Sequence, residues 1–139
     1  MSGSQKADGL LDTSVVILLG KVVPTALPRS PFISAVTLAE LTVGPLVADD
    51  ESERLERQAR LLQAEADFNP IPFDDQAARA FGAVSANLRR MGRKSTARSF
   101  DAMIAATAIS RGLPLFTANP RDFDGIDSLE IVPVALDSA

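Results

Sequence analysis

Four carboxylates occupy positions that a merely solvated acid would not choose. Asp12 interrupts the apolar run GLLDTSVVILLG, Glu40 lies in TLAEL, Asp101 in SFDAMIAATAISRG and Asp122 in TANPRDF. The chain contains no His, Cys, Trp or Tyr. That excludes a Ser-His-Asp triad, a Cys-His pair and any imidazole base, and it removes the usual zinc ligands. Any catalysis must come from Asp, Glu, Ser, Thr, Asn, Lys and Arg. Such a set suits a hard divalent cation, Mg²⁺ or Mn²⁺. Gathered carboxylates raise one another's pKa unless a cation stands among them. An ion there can activate a water and neutralise a phosphodiester oxygen without histidine. Taken singly, each acid also has a structural reading: Asp12 a helix cap, Asp101 a partner of the helix dipole, Asp122 a turn former and Glu40 a rim residue.

These acids need elements to position them. The chain has 139 residues, of which 46% are hydrophobic, enough for one domain with a core. No apolar run approaches the roughly 18 residues that cross a membrane. Leu10 and Leu11 read as the end of a buried strand, followed by a short helix from Thr13 to Leu19. PFISAV (31–36) is a second strand and Thr37 opens a helix that ends or kinks at Gly44-Pro45. DDESERLERQARLLQAEADF predicts an amphipathic helix with Leu55, Ala59, Leu62 and Ala66 on its apolar row. PIPF (70–73) is a strand weakened by its prolines, and a helix capped by Asp74 or Asp75 turns Ala77, Phe81, Val84, Leu88 and Met91 inward. A helix over 99–112 and strands at 113–117 and 129–134 complete the alternation. The class is α/β with a largely parallel sheet.

In this arrangement Asp12 and Asp122 each lie just past the end of a strand, where open parallel sheets bind ligands. They meet only if those two strands are neighbours. Asp101 shares a helical row with Ala105, Ala108 and Gly112, and Glu40 is the one charge in the row Val36, Glu40, Val43, Val47. A buried Asp12 without a cation should be poorly accommodated.

LLDTSV, TLAEL with the following Gly44, FDAMIAATAISRGLPLFTANPRDFDGI and LEIVPV together resemble PIN-domain ribonucleases, and most nearly the VapC toxins of bacterial VapBC toxin–antitoxin pairs. The likeness runs over about residues 9–134. It implies a three-layer α/β/α domain with a small, mainly parallel sheet, bounded by a flexible leader (1–8) and a tail (136–139). It also implies a site for Mg²⁺, with Mn²⁺ as a substitute. Asp12 and Asp101 would be direct ligands, and Asp122 and Glu40 ligands through water or general-base helpers. Asp124 is the alternative fourth acid. Thr13, Ser14, Thr117 and Asn119 match polar positions around such sites. The implied partners are a VapB-like antitoxin, which places an Arg or Lys among the acids, an RNA such as a tRNA or rRNA loop, and a second copy of the chain. The helices at 51–67 and 74–91 are candidate dimer surfaces, although their apolar rows serve equally as core. A cytoplasmic protein, away from membranes, is implied.

The net charge of −4 is not that of a general nucleic-acid binder. RRMGRKSTAR nevertheless gathers Arg89, Arg90, Arg93, Lys94 and Arg98 just before Asp101, as a solvated helix end or as a phosphate-attracting patch. Two other classes compete with a nuclease. One is a non-catalytic PIN-like module that binds RNA or protein. The other is an Asp-based phosphatase or receiver domain. The phosphatase pattern needs a second Asp two residues after Asp12, where Ser14 stands, and a receiver needs an acidic pair that LDT lacks.

Overall fold

The computed structural model describes residues 5–93 and 99–137. Four short strands form one sheet: β1 (Asp8–Leu11), β2 (Ser30–Phe32), β3 (Leu115–Thr117) and β4 (Ile131–Pro133). Their order is β2-β1-β3-β4 and every pairing is parallel. A parallel sheet is buried on both faces, and the sequence shows it. Leu10 and Leu115 point into one core with Val84, Leu88, Ala105 and Phe123, whereas Leu11 and Phe116 point into the other with Val15, Ile33, Leu41 and Ala64. The first core is covered by α4 (Asp75–Arg90) and α5 (Ser99–Arg111). The second is covered by α1 (Thr13–Ile17), α2 (Ala35–Leu46) and α3 (Glu51–Asp67). This is a three-layer α/β/α domain. None of the described helices is long and apolar enough to cross a membrane.

The helices begin where side chains can satisfy free N–H groups. Ser34 accepts from Thr37, Asp50 from Glu53 and Asp74 from Ala77. Gly92 and Gly112 take positive φ just past α4 and α5, the conformation that ends a helix at least cost. Pro45 lies in the last turn of α2, close to the end of the hydrogen-bond ladder.

Some elements differ from the sequence reading. PIPF is not a strand: only Ile71 pairs, giving its N–H to Ile33 and accepting from Ala35, because Pro70 and Pro72 have no N–H to give. The row Leu55, Ala59, Leu62, Ala66 faces outward, with Leu55 and Leu62 more than half exposed. The face of α3 toward the core is Leu61, Ala64 and the following Phe68. Both rows have helical spacing, and only the packing of α3 against α2 chooses between them. Met91 is also exposed rather than core. The leader is tied down close to β1, since Lys6 and Ala7 carbonyls accept from Arg29 and Ser30. At the other end Asp137 gives its N–H to Lys21.

Candidate active site

β2 lies on one side of β1, and β3 and β4 lie on the other. The chain reverses its direction of sheet growth at the β1–β3 boundary, so a crevice opens beyond the carboxyl ends of these two strands. β1 and β3 are neighbours, and the Asp12 N–H donates to Phe116 at 2.9 Å. Asp12 follows β1 directly and Thr117 ends β3, so both stand at this carboxyl edge of the sheet.

Asp12 is only 4% exposed, yet its carboxylate is well partnered. Oδ2 accepts from Thr117 Oγ1 at 2.5 Å and from Ser14 Oγ at 2.9 Å, and Oδ1 accepts from the Ser14 N–H at 3.2 Å. Ser14 and Thr117 are themselves fixed: their hydroxyl oxygens accept from the N–H groups of Ala118 and Asn119. Poor accommodation of Asp12 without a cation is therefore not what the structure shows. Three donors compensate its burial, which the sequence reading did not count.

Glu40 reaches the same crevice from α2. Its Oε1 accepts from Thr13 Oγ1 at 2.6 Å, and Thr13 is the residue after Asp12. Behind Thr13 stands Thr37, whose hydroxyl lies 2.9 Å from that of Thr13, and Ser34 donates to Thr37. Since Thr13 donates to Glu40, Thr37 must donate to Thr13. A chain of buried hydroxyls thus runs from the α2 cap to the carboxylate, each bond polarising the next. Partial burial pushes the Glu40 carboxyl above its ordinary range, the Thr13 bond opposes this, and the Asp12 charge adds to it. Sequence reasoning missed Ser34 and Thr37. The signal was there, since SAVT is a capping spacing and Thr37 precedes Glu40 by one helical turn.

Asp101 lies in the first turn of α5 and Asp122 in a 3₁₀ turn, Pro120–Phe123, that packs against α5. Both are half-buried and both engage partners. Asp124 is exposed past the end of that turn. Among the described residues, no three carboxylates stand together as a ready-made metal cage. The Asp12 charge acts on Glu40, behind the larger effects of burial and of the Thr13 bond. Oxygen-only carboxylate and hydroxyl donors of this kind fit a hard cation such as Mg²⁺ or Mn²⁺.

The basic segment divides. Arg89 and Arg90 are exposed at the end of α4. Arg93 is not free for a ligand: its guanidinium donates to the carbonyls of Arg121 and Asp122 and so pins the turn that carries Asp122. Lys94 and Arg98 lie outside the described residues. Asn119 contributes its backbone N–H to Thr117.

The chain has counterparts among known proteins. The PIN domain family model matches residues 10–129. Ribonuclease VapC5 of Mycobacterium tuberculosis is 42% identical over 134 residues, covering 92% of this chain and 96% of that one. The tRNA(fMet)-specific endonuclease VapC of Shigella flexneri is 33% identical over 129 residues, covering 86% and 92%. The crystal structure of VapBC-5 from Mycobacterium tuberculosis superposes with a TM-score of 0.80 at 39% identity, over 92% of this chain and 99% of its counterpart. The chain belongs to the PIN-domain family and, within it, to the VapC group of toxin–antitoxin ribonucleases.

Proposed function

We propose that this chain is a metal-dependent endoribonuclease acting as the toxin of a VapBC pair. The observation that carries this reading is the buried Asp12 carboxylate. It is held by Ser14 and Thr117 at the sheet's switch point and coupled through Thr13 to Glu40. Asp12 and Asp101 would hold Mg²⁺ or Mn²⁺, with Asp122 and Glu40 as supporting acids. When bound, the ion lowers the pKa of a water and offsets charge on a phosphodiester oxygen. The protein's own part is positioning. Ser14 and Thr117 fix the Asp12 oxygens. Thr13 holds Glu40, whose raised pKa suits it to accept a proton from the attacking water. The water would add to phosphorus in line as its proton passes to Glu40, the bond to the 3′ oxygen would break, and that oxygen would take a proton from solvent, leaving a 5′-phosphate and a 3′-hydroxyl. The substrate is a structured RNA such as a tRNA or rRNA loop.

A VapB-like antitoxin would silence the site by setting an Arg or Lys against Asp12 and Glu40. The similarity to a VapBC complex supports such a partner, and a homodimer is the proposed toxin assembly. The test is cleavage of total tRNA and rRNA by purified protein with Mg²⁺ or Mn²⁺, beside Asp12→Asn and Asp101→Asn. Loss of cleavage in both variants, with 5′-phosphate ends in the wild-type products, is the expected outcome. Wild-type rates in either variant overturn the reading.

A further inference from the structure

Beside the crevice, α1, α2 and α3 enclose a cleft of about 290 Å³. Thr13 and Glu40 line one side of it, Arg57 and Arg60 another, and Ile17 and Leu41 supply an apolar lining. Arg60 also lines a smaller cleft of about 110 Å³ that continues past it toward Leu19 and Phe68.

The arginines of α3 are not equivalent. Arg54 is paired with Glu51. Arg57 is paired with Glu53 and also donates to the Gly44 carbonyl at 2.9 Å, so its place in the wall is fixed. Gly44 allows this, because a Cβ there would meet the Arg57 Cδ at 3.3 Å. Arg60 has Glu56 one turn behind it, the spacing at which helical ion pairs form. It nevertheless makes no ion pair or hydrogen bond among the described residues and lines the cleft instead. An unused guanidinium thus lines the same cleft as the Glu40 carboxylate, in a chain whose net charge is −4.

We propose that Arg60 binds a phosphate of the RNA strand adjacent to the one that is cut. The inference rests on the ribonuclease reading above. Thr13 and Glu40 line the same cleft as Arg60, so a strand whose scissile phosphate lies at Glu40 and that runs on past Thr13 brings its next phosphate to that cation. The planar guanidinium presents paired donors to two non-bridging oxygens. Ile17 and Leu41 offer the sugar and base an apolar surface that demands no second charge. Arg60 also offsets the repulsion between an acidic site and a polyanion. The basic patch before Asp101 could not be credited with this task by sequence alone, and Arg93, one of its members, is spent on the Asp122 turn.

The experiment is fluorescence anisotropy of a short labelled RNA with 2′-O-methyl sugars, which binds without being cut. The proteins are wild type, Arg60→Ala, Arg60→Lys and the control Arg79→Ala, whose side chain is exposed on α4 and paired with Asp75. Arg60→Ala is expected to weaken binding about tenfold at low salt, the loss of one charged contact. Its plot of log affinity against log salt should be shallower by about 0.7, one phosphate's worth for a single strand. Arg60→Lys should keep the salt slope while losing part of the affinity, which a merely structural role would not produce. Unchanged affinity and slope in Arg60→Ala overturn the proposal, and so does a loss of association with an acidic protein segment while RNA binding stays intact. If wild type binds this RNA and Arg60→Ala weakens that binding, but no natural RNA is cut, the ribonuclease reading fails and with it the placement beside a cut phosphate, leaving Arg60 as an RNA contact alone. If it neither binds nor cuts, both fall.

Discussion

Thr117→Val isolates the bond that holds the buried acid. Valine matches threonine in shape, so the change removes one hydroxyl and little else. The lost hydroxyl donates to Asp12 Oδ2 at 2.5 Å and accepts the Asn119 N–H at 2.9 Å. Asn119 is exposed, so water can replace its lost acceptor. Asp12 is 4% exposed, so water cannot readily replace its lost donor. A hydrogen bond to a charged group contributes about 1.5–3 kcal/mol and one between neutral groups about 1 kcal/mol. Thr117→Val should therefore cost about 2 kcal/mol at neutral pH in metal-free buffer. For a domain of this length that is a fall of about 6–8 °C in Tm. The same substitution in an Asp12→Asn background should cost only about 1 kcal/mol, because the acceptor is then neutral. Urea unfolding of the four proteins of this cycle gives both numbers. A cost below about 0.5 kcal/mol, or the same cost in both backgrounds, would refute the claim that Thr117 stabilises an ionised Asp12.

Other consequences follow from the same geometry. Glu40→Gln should stabilise the metal-free protein at neutral pH. Glu40 has its carboxyl raised in the folded state, so the unfolded chain gives up its proton first and the folded state is penalised as pH climbs above 4.5. The advantage of Glu40→Gln should therefore vanish below that pH, and thermal melts across the acid range will show whether it does. Gly9→Ala should destabilise by about 1–3 kcal/mol, read by chemical denaturation, since a Cβ there would collide with the buried Phe116 ring. Leu88→Ala should cost about 2–5 kcal/mol, whereas Leu62→Ala, on the outward row of α3, should change stability by less than about 0.5 kcal/mol. Equal costs for these two leucines would put the outward row back in the core.

The four strands of the sheet, and the place of Asp12 at the exit of the first, were legible because each signal is local. Leu10-Leu11-Asp12-Thr13 spells a buried strand, an exit and a cap within four residues. The adjacency of β1 and β3 was not legible, since residues more than a hundred positions apart make that contact. The same holds for the Thr117 donor to Asp12, a contact between residues 105 positions apart. The orientation of α3 failed for a different reason. Leu55, Ala59, Leu62 and Ala66 obey helical spacing as well as Leu61, Ala64 and Phe68 do, and a period cannot say which of two rows meets a partner. The roles of the arginines were hidden too. A charge cluster in sequence says nothing of which guanidinium is consumed by a backbone carbonyl, as Arg93 is, and which is left facing a cleft, as Arg60 is.

The central claim is that Asp12 and Asp101 hold a divalent ion at the carboxyl edge of β1 and β3. Calorimetric titration of Mn²⁺ into the purified protein tests it without reliance on turnover. The account predicts saturable binding by wild type, at least tenfold weaker binding by Asp12→Asn and by Asp101→Asn, and little change for a distant acid such as Asp75→Asn. Mn²⁺ binding of wild-type strength in Asp12→Asn, or none in the wild type, would contradict it.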